Sequence, residues 1–182
     1  MTDPDQPKTG DQLTTAYERM LARVHEAFEY AEEATLPRFR HVLGEARDKT
    51  IELGELTREE ADRVAAYLER DIEDAANYLV RTGEDLRQWW RFDLEQVEDR
   101  LLDMFTGVAD QTRVQWQQLA EQAWVASHYR AGEISGPGSL LCTECGAEIE
   151  FHQPSEIPLC PKCGASLFER ASDRAEERGA QA

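Results

Sequence analysis

The sequence predicts a mainly α chain. Long amphipathic helices, arranged as a helical hairpin or coiled-coil bundle, are followed by a small C-terminal β ribbon. Three observations carry this. Apolar residues recur every three to four positions from about Leu13 to Trp124, a glycine-rich stretch from Gly132 to Gly138 ends that period, and all four cysteines lie beyond it. The 182 residues suffice for one full domain and a small one. The expected division is a disordered lead-in at 1–10, a helical domain at 11–131, a four-cysteine ribbon at 132–170 and a disordered tail at 171–182.

The first helical stripe is Leu13, Tyr17, Met20, Val24 and Phe28. The second is Leu36, Phe39, Leu43, Ala46 and Leu53, broken at Thr50, where an apolar residue is expected. Each is a narrow stripe on a charged rod, the pattern of a hairpin or coiled coil more than of a thick core. Gly54-Glu55-Leu56-Thr57 reads as an inter-helix turn rather than a partner-binding loop. Gly54 can end one helix in a left-handed conformation, and Thr57 with Glu60 forms a capping box for the next. Val64, Leu68, Ile72, Ala75 and Leu79 make the third stripe, with Thr82-Gly83 as a break or kink. Leu86, Trp90, Leu94, Val97, Leu101, Met104 and Val108 continue the period, and Gly107 and Asp110 are expected to separate them from a last helix carrying Trp116 and Trp124. Trp89 and Trp90 stand about 100° apart on a helix, so both cannot face one narrow seam; the second indole fits an oligomer or partner surface, or partial burial. The segment Gly132–Gly138 is expected to be a hinge, and Leu140-Leu141, Ile149–Phe151 and Leu167-Phe168 are expected β-prone pieces.

Acids outnumber bases 37 to 20, for a formal charge of −17. This disfavours nucleic acid and anionic membrane surfaces, whose binding needs clustered Lys and Arg. No run of about 18 apolar residues is present, so no membrane span is expected. The polar start, Met1–Gln12, lacks the apolar run of a signal peptide, which points to a cytoplasmic protein.

Cys142-Thr-Glu-Cys145-Gly146 and Cys160-Pro-Lys-Cys163-Gly164 stand 14 residues apart. In each pair a tight turn aims two thiolates at one cation, and the following Gly permits the positive φ that brings backbone N–H groups toward the sulfurs. Cys142, Cys145, Cys160 and Cys163 are therefore expected to hold one structural Zn2+ tetrahedrally, in a zinc ribbon whose folding energy the metal supplies. Iron also fits four thiolates. Paired disulfides are disfavoured by a reducing compartment, and a redox dithiol by the lack of a βαβ pattern. Four thiolates leave no open position for catalysis, and His152, between the pairs, is not needed as a ligand. Leu141, Ile149, Phe151, Leu159 and Phe168 are expected to pack around the metal.

Gly54-Glu55-Leu56-Thr57-Arg58, Arg70-Asp71-Ile72-Glu73, Thr112 with Trp116, Tyr129, Gly132-Glu133, Gly136, Gly138, the two cysteine pairs and Phe168-Glu169-Arg170 form a pattern from about residue 13 to residue 170. In these residues the chain resembles the YbeL-like family of bacterial zinc-ribbon-containing proteins, whose function is uncharacterised. The resemblance implies a helical region followed by a four-cysteine ribbon in a bacterial cytoplasm, and no reaction.

No Gly-x-Ser-x-Gly, His-Glu-x-x-His or nucleotide fingerprint occurs, and His25, His41, His128 and His152 are scattered. A non-enzymatic zinc-binding adaptor is expected, using helices for self- or partner-association. The alternatives are an RNA-polymerase-associated transcription regulator and nucleic-acid binding through the ribbon. The first rests on a loose resemblance to DksA-type regulators, but no Asp-x-x-Asp-x-Ala motif lies between the helices. The second rests on analogy alone.

Overall fold

A computed structural model describes residues 10–29, 36–82, 99–120 and 128–171. Among these residues four helices precede six short strands. The helices are α1 (Gly10–Glu29), α2 (Leu36–Glu52), α3 (Arg58–Thr82) and α4 (Asp99–Ala120). The strands are β1 (His128–Arg130), β2 (Ile134–Ser135), β3 (Gly138–Cys142), β4 (Glu148–Phe151), β5 (Ser155–Glu156) and β6 (Leu167–Arg170). The expected apolar positions Leu86, Trp90, Leu94 and Val97, the Trp89-Trp90 pair, Trp124, residues 1–9 of the lead-in and 172–182 of the tail lie outside the described residues.

The stripes read from the sequence face inward. Tyr17, Met20, Val24 and Phe28 of α1, Phe39, Leu43 and Ala46 of α2, Val64, Leu68, Ile72, Ala75 and Leu79 of α3, and Leu101, Met104 and Val108 of α4 share one apolar core. Leu21, Ala65, Ala76, Phe105 and Ala109 widen it, so the four helices bury broader faces than the narrow stripes implied. Thr50 occupies its apolar slot fully buried, because its hydroxyl donates back to the Ala46 carbonyl (2.9 Å) and accepts from Arg23 Nη1 (2.6 Å). Leu53, expected in the second stripe, is 54 % exposed, because α2 ends at Glu52 and the chain turns there.

The turn behaves as its residues dictate. Gly54, at φ 68°, ends α2, and Glu60 accepts from both the amide and the hydroxyl of Thr57 while Thr57 Oγ1 accepts from the Glu60 amide. Glu55 accepts from Arg23 at 2.9 Å and from Arg19 at 3.2 Å, which ties this turn to α1. The sequence expected Gly107 and Asp110 to divide two helices; instead α4 runs through both. A Cβ at Gly107 would meet the His25 ring of α1 at 3.4 Å, at the edge of ordinary van der Waals contact, so α1 passes close to an unbroken α4 there.

The strands form a four-stranded antiparallel sheet of order β1-β6-β3-β4 and a two-stranded sheet β2-β5. Strand β1 lies before residue 131, where the helical domain was expected to end. It nevertheless pairs Tyr129 with Phe168 in the ribbon sheet, because glycine positions marked the loop after the strand and not its start. The four-stranded sheet has its own small core of Tyr129, Leu140, Cys142, Phe151, Ile157, Cys160 and Phe168.

Candidate metal centre

The two cysteine pairs form matching turns. The Gly146 amide donates to the Cys142 carbonyl (2.9 Å) and the Gly164 amide to the Cys160 carbonyl (2.8 Å). The Cys142 amide donates to the Ala147 carbonyl (2.9 Å), and the Cys160 amide to the Ala165 carbonyl (2.8 Å). Gly146 and Gly164 close these turns at φ 67° and φ 76°, a region in which a side chain is strained, so the reading of the Cys-x-x-Cys-Gly spacing holds at the backbone.

The turns face each other and bring the four sulfurs of Cys142, Cys145, Cys160 and Cys163 within 4.8 Å of one another. Cys142 Sγ lies 3.6 Å from Cys163 Sγ, and Cys145 Sγ lies 3.6 Å from Cys160 Sγ. A tetrahedron with metal–sulfur bonds of ~2.3 Å has sulfur–sulfur edges of roughly 3.8 Å. The donor set therefore fits a tetrahedral cation such as zinc in both chemistry and spacing. Burial pushes the Cys160 thiol up, but the Cys163 and Lys162 amides at its sulfur outweigh this and bring it down to about 6. The Ala165 amide lowers the Cys163 thiol, yet the neighbouring cysteines, Cys145 first, push it up to about 12. With a cation bound, all four would ligate as thiolates.

Of the residues expected around the metal, Phe151 and Phe168 are buried and Ile149 packs at the margin of their cluster. Leu140 takes the inward position rather than Leu141, since it lies on the buried face of β3. Leu159 is 60 % exposed, because the chain approaching Cys160 runs along the surface. His152 stands outside the four-sulfur group, and His25, His41 and His128 sit on α1, α2 and β1. An open cleft of about 850 Å³ between α1 and α4 is lined by Arg19, Arg23, His25, Glu26, Arg100 and Asp103, a mixed-charge surface.

The expected hinge is an anchor. Ile134 of β2 is fully buried in the helical core. The Gly136 amide donates to Asp71 Oδ2 of α3 (2.6 Å), the same oxygen that accepts from the Tyr17 hydroxyl of α1 (2.8 Å). A Cβ on Gly136 would stand 2.7 Å from that hydroxyl, so glycine is required for the approach. Around Asp71 lies a buried polar cluster that the sequence reading missed. Arg170, at the end of β6, is 1 % exposed and donates from Nη2 to Asp71 Oδ1 (3.2 Å), Tyr129 Oη (2.8 Å) and Ser135 Oγ (3.3 Å). The Tyr129 hydroxyl donates to Asp74, which also lies 3.7 Å from Arg170 Nε. Arg70 donates to Glu133 (2.5 Å) and to the Ile134 carbonyl (3.0 Å), with its guanidinium 3.8 Å from the centre of the Tyr129 ring.

Burial alone would lower the pKa of Arg170; Tyr129, Asp71 and Asp74 more than offset this and raise it. Burial, with Asp71 beside it, raises the Tyr17 hydroxyl well above the ordinary range, and burial does the same for Tyr129. The sequence carried no local signal for this cluster, since Asp71 and Asp74 stand about 100° around the helix from the stripe positions Ile72 and Ala75.

Residues 26–172 match the family described as zinc-ribbon containing domain. The uncharacterized protein YbeL of Escherichia coli strain K12 is 29% identical over 130 residues, covering 71% of this chain and 79% of that protein. An adenylate kinase of Bacillus cereus strain B4264 is 42% identical over 41 residues only, 21% of this chain and 19% of the kinase. No solved structure matches.

Proposed function

We propose, from the premise that this chain belongs to the zinc-ribbon containing domain family, that it is a non-enzymatic adaptor holding one structural zinc. Cys142, Cys145, Cys160 and Cys163 would supply the four thiolates. The observation that carries the reading is the closure of that set: four sulfurs within 4.8 Å of one another saturate a tetrahedral cation. A saturated cation offers no place for water or substrate, which favours a structural metal. When bound, zinc supplies folding energy to a ribbon too small to fold on apolar burial alone.

The helical part is the proposed association surface for a second copy or a protein partner, through its outer faces, since the apolar stripes of α1 to α4 are committed to their shared core. The formal charge of −17 favours a protein partner over nucleic acid or a membrane. No helix among the described residues is long and apolar enough to cross a membrane, which accords with a cytoplasmic site of action. The likeness to adenylate kinases covers too little of either chain to carry that activity here.

Chemical crosslinking in cells, followed by capture of the tagged chain and mass spectrometry, tests the adaptor reading. Reproducible crosslinks from helical residues to one protein or to a second copy support it. Crosslinks confined to RNA polymerase favour the transcription-regulator alternative. Crosslinks to nucleic acid through residues 140–170 overturn the adaptor reading.

A further inference from the structure

The polar cluster at the junction of helices and ribbon has no role in holding a cation, yet most of its partners come from the ribbon segment. Asp71, fully buried on α3, accepts from four donors. Tyr17 and Arg70 come from helices; the Gly136 amide and Arg170 come from the ribbon segment. Asp74 faces Tyr129 and Arg170, and Arg70 faces Glu133, the Ile134 carbonyl and the Tyr129 ring. The charged seam between α1 and α3 is therefore completed from outside the helices.

What places Arg170 is the strand pair β3–β6. Its register sets Leu140 against Arg170 and Cys142 against Phe168. Cys142 is one of the four sulfur donors, two positions along the same ladder from the Arg170 pair. Of the seven residues of the ribbon core, two are donor cysteines, Cys142 and Cys160. Without a cation those thiols no longer cross-link the strands, and a unit this small loses its register. Arg170 and Gly136 would then leave Asp71, and Ile134 the helical core. Of its cationic partners Asp71 would keep only Arg70, whose Nε stands at a long 3.4 Å. A buried carboxylate that loses two of its four donors must be reached by water or remain desolvated; either outcome loosens the seam.

We propose that the metal-loaded ribbon is the lock of the helical core: cation binding at the cysteines and packing of α1 on α3 are one linked equilibrium, transmitted through Arg170 and Asp71. The linkage runs both ways, so loosening the seam weakens cation binding by the same factor. It rests on the metal-site reading but not on the adaptor role.

The test uses the full chain, reduced throughout, with its zinc content measured before and after treatment with a chelator. Hydrogen exchange read by mass spectrometry then follows the segments around Tyr17 and Asp71. The expected result on zinc removal is at least tenfold faster exchange in both segments and a fall of about 10 °C in the helical melting midpoint. Arg170→Met, which touches no sulfur donor, is expected to weaken zinc binding at least tenfold in a competition titration, and Arg170→Lys to restore part of it. Complete zinc removal with exchange around Tyr17 and Asp71 unchanged overturns the linkage while leaving the metal site intact. Unchanged zinc affinity in Arg170→Met does the same without relying on chelation. A freshly purified chain that holds no metal overturns both the linkage and the metal-site reading.

Discussion

Arg170 and Asp71, 99 positions apart in sequence, meet at 3.2 Å, the arginine on β6 and the carboxylate in the middle of α3. Both side chains are almost wholly buried. The pair joins the part of the molecule that would hold a metal to the part that forms the bundle.

Truncating that arginine should be severe. Arg170→Met takes from Asp71 and Asp74 their shared buried cation, leaving Asp71 no cation but Arg70 at 3.4 Å, and removing one partner of a buried pair costs about 3–5 kcal/mol. Urea unfolding followed by circular dichroism measures it. A loss below about 1 kcal/mol would show that water already compensates these carboxylates.

Gly136→Ala should destabilise through overpacking. The new methyl would lie 2.7 Å from the Tyr17 hydroxyl and 3.2 Å from Asp71 Oδ2, both of which hold one another in place. A loss of about 1–3 kcal/mol is expected. Pairing it with Tyr17→Phe, which removes the clashing oxygen, should recover part of the loss if the clash is the cause.

Glu73 gives stability a pH dependence of known sign. Burial first, then Asp74 and Glu69, push its carboxyl up to about 7, against the opposing pull of Arg40. The folded value lies above the unfolded ~4.3. Its contribution is therefore fully present at low pH and is lost as pH rises toward and through 7. Glu73→Gln should make the protein more stable than the parent at pH 8 by about 1 kcal/mol, a figure reduced because the side chain is only half-buried, and should narrow the difference at pH 5. An equal effect at both pH values would contradict the assignment.

Metal analysis of freshly purified, reduced protein should give about one zinc per chain, since four thiolates make one tetrahedral site. Cys142→Ser and Cys163→Ser should each lower that content. Full zinc retention in both variants would place the metal elsewhere.

Duplex DNA should bind without appreciable affinity at about 0.15 M salt, because few cations are present to release condensed counterions. Micromolar binding with a steep salt slope, seen by fluorescence anisotropy, would contradict the charge argument.

The helical stripes and the cysteine turns were legible because each is written in local spacing. Thr57 with Glu60 and the glycines after Cys145 and Cys163 need only their near neighbours to act. The junction was not legible in this way. Arg70, Asp71 and Arg170 look like ordinary surface charges until chain segments far apart in sequence meet, and nothing local distinguishes Gly136 as an anchor from Gly136 as a hinge. Strand β1 escaped for the same reason, since three residues become a strand only through pairing with β6.

The 99-position separation of Asp71 and Arg170 also sets an order of events during synthesis. At about 5–20 residues per second, Asp71 leaves the ribosome roughly 5–20 s before Arg170, its buried partner from the ribbon. Local helical turns form in microseconds or less, so turns of α1 to α3 can form and re-form many times before their shared seam can close. For that interval the nascent bundle carries an unfinished polar groove, and a chain arrested before its final strand never completes it. Strand β6, made well after α1 to α3, thus completes a seam that those helices leave open.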